Sequence, residues 1–324
     1  MKKKLFLMAC LAVVGILSVK AQQSIIALHH EGNVTIYAGA KTQEAMDASV
    51  KGDTLYLSEG TFSGFNVTHG IVVLGSGEKT VVSGNITITG NEEKKDLGGY
   101  VFSGLQMLHD FVVNDSVTGF RMSQCQMTNF TVNNGKFLDA GEIVMSFIRG
   151  TLAIQTTVQG LDVISTKIGT VTGNAATVGS INCNHCNIKI VGEDHQNRTF
   201  QNSIISECRS GTYYNCIWDH NWHNVADWGG NYDGYRMYAS KQDCQKVSFT
   251  FDDKLNTPFS DDSLRTTGYL GNDGTLVGIT GGNTPYTLEL AGPHVVDHKV
   301  DVDNVNRKMT VTLKMAHEAT KEEE

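Results

Sequence analysis

The sequence predicts an all-β protein that folds as a single-stranded right-handed parallel β-helix, a solenoid with coils of about 20 residues. Composition is the first observation, since 34 glycines, only 3 prolines and many Asn, Thr and Val residues favour short strands joined by tight turns. Regular spacing is the second, because short apolar triplets recur every 20 or 21 residues without helical periodicity. A solenoid produces such spacing because side chains of the same kind stack on one another in successive coils. The triplets are residues 105–107, 125–127, 146–148, 166–168 and 186–188.

The first 21 residues have the features of a cleavable secretory signal. Lys2, Lys3 and Lys4 precede an apolar stretch at 5–17, and Ala21 ends the segment. The apolar stretch is too short to span a bilayer, so we expect a protein that is not membrane-spanning. The signal predicts export to the periplasm, the cell surface or the extracellular medium.

The charge balance argues against nucleic acid as a partner. The chain carries 26 basic and 34 acidic side chains, and loss of residues 1–21 would remove four lysines and no acid, which changes the formal charge from −8 to −12. Such a surface lacks the basic stripe that releases counterions from phosphate backbones. An anionic polysaccharide would likewise need local basic groups or a bridging cation.

Residues 22–51 are expected to form an N-terminal cap over the open end of the solenoid. One helical segment is predicted there, at 41–50, with Thr42 as its capping residue. A cap is needed because the end strand of an uncovered β-helix exposes unpaired backbone groups.

The β-helix itself is assigned to residues 52–286. Cys183 and Cys186 each alternate with polar neighbours, and the change of phase at Asn184 and His185 marks a corner. Both cysteines should therefore point inward from two strands of one coil, and His185 should be an ordinary hydrogen-bonded corner residue. At least three of the six cysteines outside the signal are thus predicted to be small core residues.

The start of the solenoid resembles a known family. A Gly-Asp-Thr strand at 52–57, a Gly-Thr-Phe turn at 60–62 and a Gly-Ser-Gly at 75–77 resemble the opening coils of pectin-lyase-like right-handed β-helix proteins. The resemblance implies the scaffold and not the chemistry, since these β-helices include lyases, hydrolases, esterases and adhesins.

The end of the solenoid carries a second resemblance. An Asp-Gly-Thr turn at 273–275 leads to Gly-Ile-Thr-Gly-Gly at 278–282 and then to Tyr286. This pattern resembles the closing segment of exported Bacteroidetes β-helix proteins, and it implies a fold and an origin.

Residues 287–324 are expected to form a C-terminal β-hairpin cap and a charged tail. Polarity alternates at 299–303 and 308–313, on either side of a turn at 304–307. The pattern predicts a hairpin whose apolar face closes the last coil.

The candidate ligand-binding site is an aromatic loop at residues 218–238, which interrupts the 20-residue rhythm. The loop combines all three tryptophans with polar side chains, and flat apolar faces beside hydroxyl-binding groups suit a sugar. A β-helix presents function on loops that leave the coil at its corners. The predicted ligand-binding residues are Trp218, Trp222, His223, Trp228, Tyr232, Tyr235 and Arg236.

Other roles for this loop stay open. Its aromatic residues can also fold over the last coils as a hydrophobic lid. Asp219 and Asp227 together with His220 and His223 offer ligands of the kind that zinc prefers, although the prediction is that no metal is bound. The candidate catalytic residues are Asp219, His220, Asp227, Asp233 and Arg236.

Enzyme motifs are incomplete in the chain. The segment at 217–220 is similar to the Val-Trp-Ile-Asp-His signature of β-helix pectate lyases, but it lacks one residue, which in a strand turns the following side chains to the opposite face. The Arg-x-Pro-x-x-Arg motif of such lyases is absent, as are the Asn-Thr-Asp and Gly-His-Gly motifs of polygalacturonases.

The first hypothesis is therefore a non-catalytic, exported module that binds a polysaccharide or another cell-surface glycan through residues 218–238, without a cofactor. The alternative is a polysaccharide lyase or glycoside hydrolase that acts on acidic polysaccharide, with calcium as the cofactor of a lyase. A basic residue or a pair of carboxyl groups on one exposed strand face would favour the alternative. The sequence predicts no oligomeric state.

Overall fold

The structure is a computed structural model, and it describes a large part of the chain. The described residues are 24–89, 99–133, 141–155, 160–173, 180–192, 198–208, 211–218, 239–242, 245–246, 269–287, 294–303 and 308–316. The predicted secretory signal at 1–21 lies outside them. Within these ranges, no helix is both long enough and apolar enough to cross a membrane.

Short strands dominate the described residues, together with one α-helix. The helix α1 is Thr42–Ala48, and it follows a 3-10 turn at Gly39–Lys41. The strands are β1 Ile25–His30, β2 Asn33–Ala38, β3 Thr54–Leu57, β4 Gly60–Phe62, β5 Phe65–Val67, β6 Val72–Val82, β7 Ile86–Ile88, β8 Val101–Met107, β9 Phe111–Val113, β10 Arg121–Ser123, β11 Gln126–Met127, β12 Phe130–Val132, β13 Gly141–Val144, β14 Phe147–Ile154, β15 Gly160–Ile164, β16 Lys167–Gly173, β17 Ser180–Asn184, β18 Asn187–Val191, β19 Arg198–Gln201, β20 Ile204–Cys208, β21 Gly211–Tyr214, β22 Ile217–Trp218, β23 Ala239–Gln242, β24 Gln245–Lys246, β25 His294–Asp303 and β26 Lys308–Ala316.

Strands β3 to β24 wind as a parallel β-helix, which confirms the predicted fold. On each face of the solenoid, a new coil adds a strand in register with the strand of the coil before it. Phe102, for example, pairs with Met122, and Met122 pairs with Ile143. The stacked strands make three faces. Face A contains β3, β10, β13, β15, β17, β19, β21, β23 and the first parts of β6 and β8; face B contains β4, β11, β22, β24, the last parts of β6 and β8 and the first parts of β14, β16, β18 and β20; face C contains β5, β7, β9, β12 and the last parts of β14, β16, β18 and β20.

The corner between faces A and B is formed by one residue per coil in the left-handed backbone region. The φ angles of these non-glycine residues lie between 46° and 52°, which turns the chain sharply without an added loop. The corner residues are Gln124, Met145, Ser165, His185, Asn202 and Asn215. The predicted change of phase at Asn184 and His185 is therefore confirmed.

A ladder of small hydroxyl and thiol side chains follows this corner inside the solenoid. Each of them donates a hydrogen bond to the carbonyl two residues earlier, as Ser146 Oγ does to Val144 O at 2.9 Å. Several also accept from the preceding coil: the Cys125 amide donates to Ser146 Oγ at 3.2 Å. The ladder residues are Cys125, Ser146, Thr166, Cys186, Ser203 and Cys216.

Apolar side chains fill the interior, and an aromatic cluster holds the early coils together. Phe111 packs edge-on against Phe102, with 4.8 Å between the ring centroids, and it stacks on Phe130 at 5.4 Å. Phe120 lies between them. All four rings are buried, and aromatic contacts of this kind add about 0.5–1.5 kcal/mol each to the effect of burial.

The N-terminal segment covers the first coil. Strand β1 pairs antiparallel with both β2 and β3, so the parallel stack ends in an antiparallel pair. Helix α1 buries Ala45 and Met46 against this end. The capping role expected for Thr42 is wrong, because Lys41 is the N-cap and the Thr42 hydroxyl donates instead to Gly39 O at 3.1 Å.

Residues 269–287, here called the closing segment, lie outside the solenoid along face B. The sequence assigned them to the β-helix, but they add no strand to its coils. The Gly278 amide donates to Asn202 O at 2.7 Å, and the Ile279 amide donates to Asn187 Oδ1 at 3.2 Å. The segment covers the outward side chains of Asn187 and Ile204, which are buried.

The predicted C-terminal hairpin is present as β25 and β26, which pair antiparallel from His294 and Ala316 to Asp303 and Lys308. The sequence predicts a position over the last coil. In the structure, β25 contacts β6, which belongs to the second coil.

Candidate functional site

The predicted aromatic loop lies largely outside the described residues. Trp218 belongs to strand β22, where it pairs with Ile205 and Lys246, so this residue is part of a coil and not of the loop. The other predicted residues fall at 219–238, beyond what the structure describes. They are Asp219, His220, Trp222, His223, Asp227, Trp228, Tyr232, Asp233, Tyr235 and Arg236.

The solenoid keeps its register across this loop. Strand β22 ends at Trp218, and β23 resumes face A with Ala239 beside Gly211 and Gln242 beside Tyr214. Residues 219–238 therefore connect β22 on face B to β23 on face A of the next coil. An insertion held at both ends by a regular sheet is where a β-helix carries variable functional residues.

The outward surface of face A carries, from its fourth strand on, a charged column that the sequence interpretation missed. Arg121, Glu142 and Asp162 are register neighbours on three successive strands. Arg121 Nε lies 3.0 Å from a Glu142 carboxylate oxygen, and Asn182 Nδ2 donates to Asp162 Oδ1 at 2.9 Å. The signal was present in the sequence, because these residues share the 20-residue spacing of the apolar triplets.

Farther along the axis, the same face is uncharged. The outward residues of β17, β19 and β21 are amides, hydroxyls and one aromatic ring, while their inward neighbours Cys183, Phe200 and Tyr213 are buried. Tyr214 is 37% exposed. The outward residues are Asn182, Asn184, Thr199, Gln201, Thr212 and Tyr214.

A polar network crosses the outer side of face B. Gln126 Nε2 donates to Glu78 Oε1 at 3.0 Å, and Arg149 Nη2 donates to Gln126 Oε1 at 3.4 Å. Lys167 is only 2% exposed, and its Nζ lies 5.5 Å from the centroid of the Phe147 ring, within range of a cation–π interaction. The network is structural in its geometry, because its hydrogen bonds join side chains of different coils.

The closing segment is fastened to the corner column by a histidine and a carboxylate. His185 Nε2 lies 2.7 Å from Asp273 Oδ2, and the Thr275 amide and hydroxyl donate to Asp273 Oδ1 at 3.0 and 2.9 Å. Partial burial opposes ionisation of Asp273, but the bonds from Thr275 and His185 lower its pKa below the usual value. The expectation that His185 is an ordinary hydrogen-bonded residue is confirmed.

The interior cysteines are unreactive structural residues. Cys125, Cys183, Cys186 and Cys216 are buried free thiols, which confirms the predicted core role for at least three of the cysteines. Burial raises the pKa of Cys125 to about 12, and contact with Cys186 together with burial raises that of Cys183. Within the described residues, no group of three or more His, Cys, Asp or Glu side chains is arranged to hold a metal ion.

Comparisons with known proteins identify no relative of this chain, so its class is defined by the fold alone. No protein-family model, no curated protein and no solved structure matches the chain. The class that the coordinates define is a parallel β-helix with a laterally docked closing segment.

Proposed function

We propose that this protein is an exported β-helix of the pectin-lyase-like, Bacteroidetes type that binds a cell-surface glycan through the aromatic segment at 218–238. The observation that carries the proposal is the insertion of residues 219–238 between strands that keep their register on both sides. The composition of the insertion supports a sugar ligand, since tryptophan and tyrosine rings combine an apolar face with polar neighbours.

A rigid scaffold supports this use of the insertion. Binding groups are most effective when the elements that hold them do not move, and the flanking strands β22 and β23 belong to a continuous hydrogen-bonded stack. The acidic balance of the chain favours a ligand without many negative charges, because polyanions would be repelled at low ionic strength.

The test is a glycan-array screen of residues 22–324, with and without calcium, beside the variants Trp222→Ala and Trp222→Tyr. A binding module predicts retention of at least one glycan class by the wild type, loss in Trp222→Ala and partial retention in Trp222→Tyr, which keeps an aromatic ring. Equal binding by the wild type and Trp222→Ala would refute a role for the aromatic segment. Absence of any bound glycan would favour the hydrophobic-lid role instead.

Hydrolysis of a polysaccharide is a second candidate, and the charged column on face A favours it. Glu142 and Asp162 are register neighbours on adjacent strands, whose spacing is about 4.8 Å, so one face carries two carboxyl groups at successive positions beside Arg121. Paired carboxyl groups at short separation are what retaining glycoside hydrolases require. Release of shortened oligosaccharides by the wild type and not by Glu142→Gln would establish this function, and unsaturated products would indicate a lyase.

Export is part of the proposal and has its own test. Residues 1–21 have the basic start and apolar stretch of a secretory signal. Expression of the full chain in a Gram-negative host should yield a mature N-terminus at Gln22 in the periplasmic or extracellular fraction, as determined by mass spectrometry.

A further inference from the structure

We infer that strand β2 is the contact surface of a closed dimer, in which it pairs antiparallel with β2 of a second copy of this chain. The two solenoids would then meet at their N-terminal ends. This inference concerns a different surface from the proposed glycan-binding segment and does not depend on it.

Strand β2 lies at the edge of the sheet. Within the described residues it pairs with β1 alone, whereas β1 pairs with β2 on one side and with β3 on the other. An edge strand presents N–H and C=O groups that a strand of another molecule can join. The cap therefore covers the first coil but has an open edge of its own.

The hairpin turn between β1 and β2 determines which residues of β2 bond to β1. Glu31 and Gly32 are its two central residues, and their φ angles of 46° and 83° are those of a type I′ turn. The flanking residues His30 and Asn33 are register partners, and they form the hydrogen-bonded pair that closes the turn. The backbone groups of Asn33 are therefore directed towards β1.

The backbone groups of Val34 and Ile36 point the other way, to the open edge. Hydrogen-bonded and non-hydrogen-bonded pairs alternate along an antiparallel ladder, so both residues occupy non-hydrogen-bonded positions opposite β1. The far side of β1 has the same phase: Ile25, the partner of Ala38, uses its carbonyl to accept from the Ser58 amide at 3.1 Å. Val34 and Ile36 thus offer two donors and two acceptors to a further strand.

Strand β2 lacks the features with which proteins usually protect an edge. Charged side chains, prolines and bulges are the common means of protection. The strand Asn33–Ala38 contains no charged residue and no proline, and its register with β1 is continuous. Among the described residues, Val34 is the most exposed large apolar side chain, at 57%.

A second copy of β2 complements this edge. With a two-fold axis at Thr35, Val34 of each copy lies opposite Ile36 of the other, so the free N–H and C=O groups meet in two hydrogen-bonded pairs. The side chains of Val34 and Ile36 are on one face of β2 because side chains alternate along a strand. Apolar β-branched side chains therefore meet across both pairs, which stabilises a sheet.

The charges that flank β2 favour the antiparallel orientation. Glu31 is exposed just before the strand, and Lys41 is exposed just after it, where it lies 2.9 Å from Glu44. Parallel pairing would place the two Glu31 side chains next to each other, and like charges on neighbouring strands are destabilising. Antiparallel pairing separates them and brings each to the end of β2 where Lys41 lies.

The two-fold axis also limits the assembly to two molecules. Both copies use the same residues, so the contact is isologous and closed. The later coils lie on the far side of β1 from β2, so the two solenoids extend in opposite directions from the contact. An open filament cannot grow from this pairing, because each copy contributes one edge and that edge is used.

The test is sedimentation velocity of residues 22–324 over about a hundredfold range of micromolar concentration, beside three variants. We expect a monomer–dimer equilibrium for the wild type. Val34→Lys should weaken association at least about tenfold, because the two-fold axis places each new charge opposite an apolar side chain of the other copy. Ile36→Pro should do the same, since it removes one outward N–H per copy and leaves the bonds to β1 in place.

Val50→Lys is the matched control. Val50 is also an exposed valine, at 46%, but it lies outside β2, so the same substitution should leave the dimer unchanged. All three variants should keep the circular dichroism spectrum of the wild type, which shows that lost association does not reflect lost folding.

Hydrogen exchange of peptides that cover residues 33–38 provides a second measurement. Their protection should rise with wild-type concentration and stay low in Val34→Lys. A wild type that remains monomeric would overturn the inference, as would a dimer that persists in both Val34→Lys and Ile36→Pro. Assemblies larger than two would contradict the closed pairing. Full protection of 33–38 in a monomer would show that another segment of the same chain covers β2, and it would also overturn the inference.

Discussion

Replacement of Asn202 should release the closing segment without unfolding the solenoid. Asn202 is 1% exposed, and its side chain makes four hydrogen bonds, one of which joins Nδ2 to His185 Nε2 at 3.4 Å. Its Nδ2 donates to Asn272 Oδ1 at 2.9 Å and to Asn184 Oδ1 at 3.2 Å, and its Oδ1 accepts from the Asn272 amide at 3.0 Å. Two of these bonds hold the closing segment.

The expected magnitude follows from those two bonds. Each is worth about 0.5–1.5 kcal/mol net, and a polar group left buried without a partner costs more, so Asn202→Ala should favour opening of the segment by about 2–3 kcal/mol. Hydrogen exchange of peptides within 269–287, followed by mass spectrometry, measures this opening directly. Exchange should accelerate about 30- to 150-fold, because about 1.4 kcal/mol corresponds to a factor of ten.

Glycine and a second corner residue provide the controls. Asn202 has a φ of 49°, so Ala adds backbone strain of about 1–2 kcal/mol that Gly does not, but this strain persists while the coil stays folded. Asn202→Ala and Asn202→Gly should therefore accelerate exchange equally, whereas only Ala should lower the free energy of global unfolding further. Asn215→Ala, at the next corner with a φ of 48°, should leave exchange in the segment unchanged. Normal exchange in Asn202→Gly would refute the assignment of these bonds as the fastening of the segment.

Three further predictions test other parts of the structure. Cys125 should resist alkylation in the native protein at pH 8 and react fully in guanidinium, since burial raises its pKa to about 12; native labelling at the rate of a free thiol would contradict its interior position. The hydrogen bond that His30 donates to Asp53 raises the pKa of His30, so the stabilising contribution of this pair should be complete below pH 6.5 and disappear as the pH rises through the folded-state pKa. An NMR titration of His30 should give a midpoint above 6.5 that returns towards 6.5 in Asp53→Asn. Gly281→Ala should detach the closing segment, because a methyl group there collides with the backbone of the same segment and with the His185 ring. Gly274→Ala is the control, since its methyl group meets no atom within 4 Å and should cost only the strain of its φ of +77°. Equal thermal stability of the two variants would contradict this packing.

The periodic part of the fold was predictable because each coil has residues of the same type at equivalent inward and corner positions. Inward residues such as Cys183 and Cys186 could be assigned from alternation alone, and the corner at His185 from a change of phase. The same period would have revealed the column of Glu142 and Asp162, had the polar positions been aligned as the apolar ones were.

The lateral position of the closing segment could not be predicted in this way. It depends on outward residues of face B, such as Asn187 and Ile204, that any alternation rule assigns to solvent. Their burial requires a second segment from far along the chain, and no local pattern identifies which segment that is. The aromatic segment at 219–238 was recognised from composition, and its contacts stay a prediction.

The ladder beside the corner has a consequence for how such a protein can change its length. Every hydroxyl or thiol there donates a hydrogen bond to a carbonyl of its own coil, and several also accept one from an amide of the preceding coil. A complete coil therefore carries both a donor amide and an acceptor side chain for the bonds to its neighbours. Duplication or loss of one complete coil therefore leaves no donor or acceptor behind at this seam. Serine, threonine and cysteine all occupy this position, because each can donate to the carbonyl of its own coil.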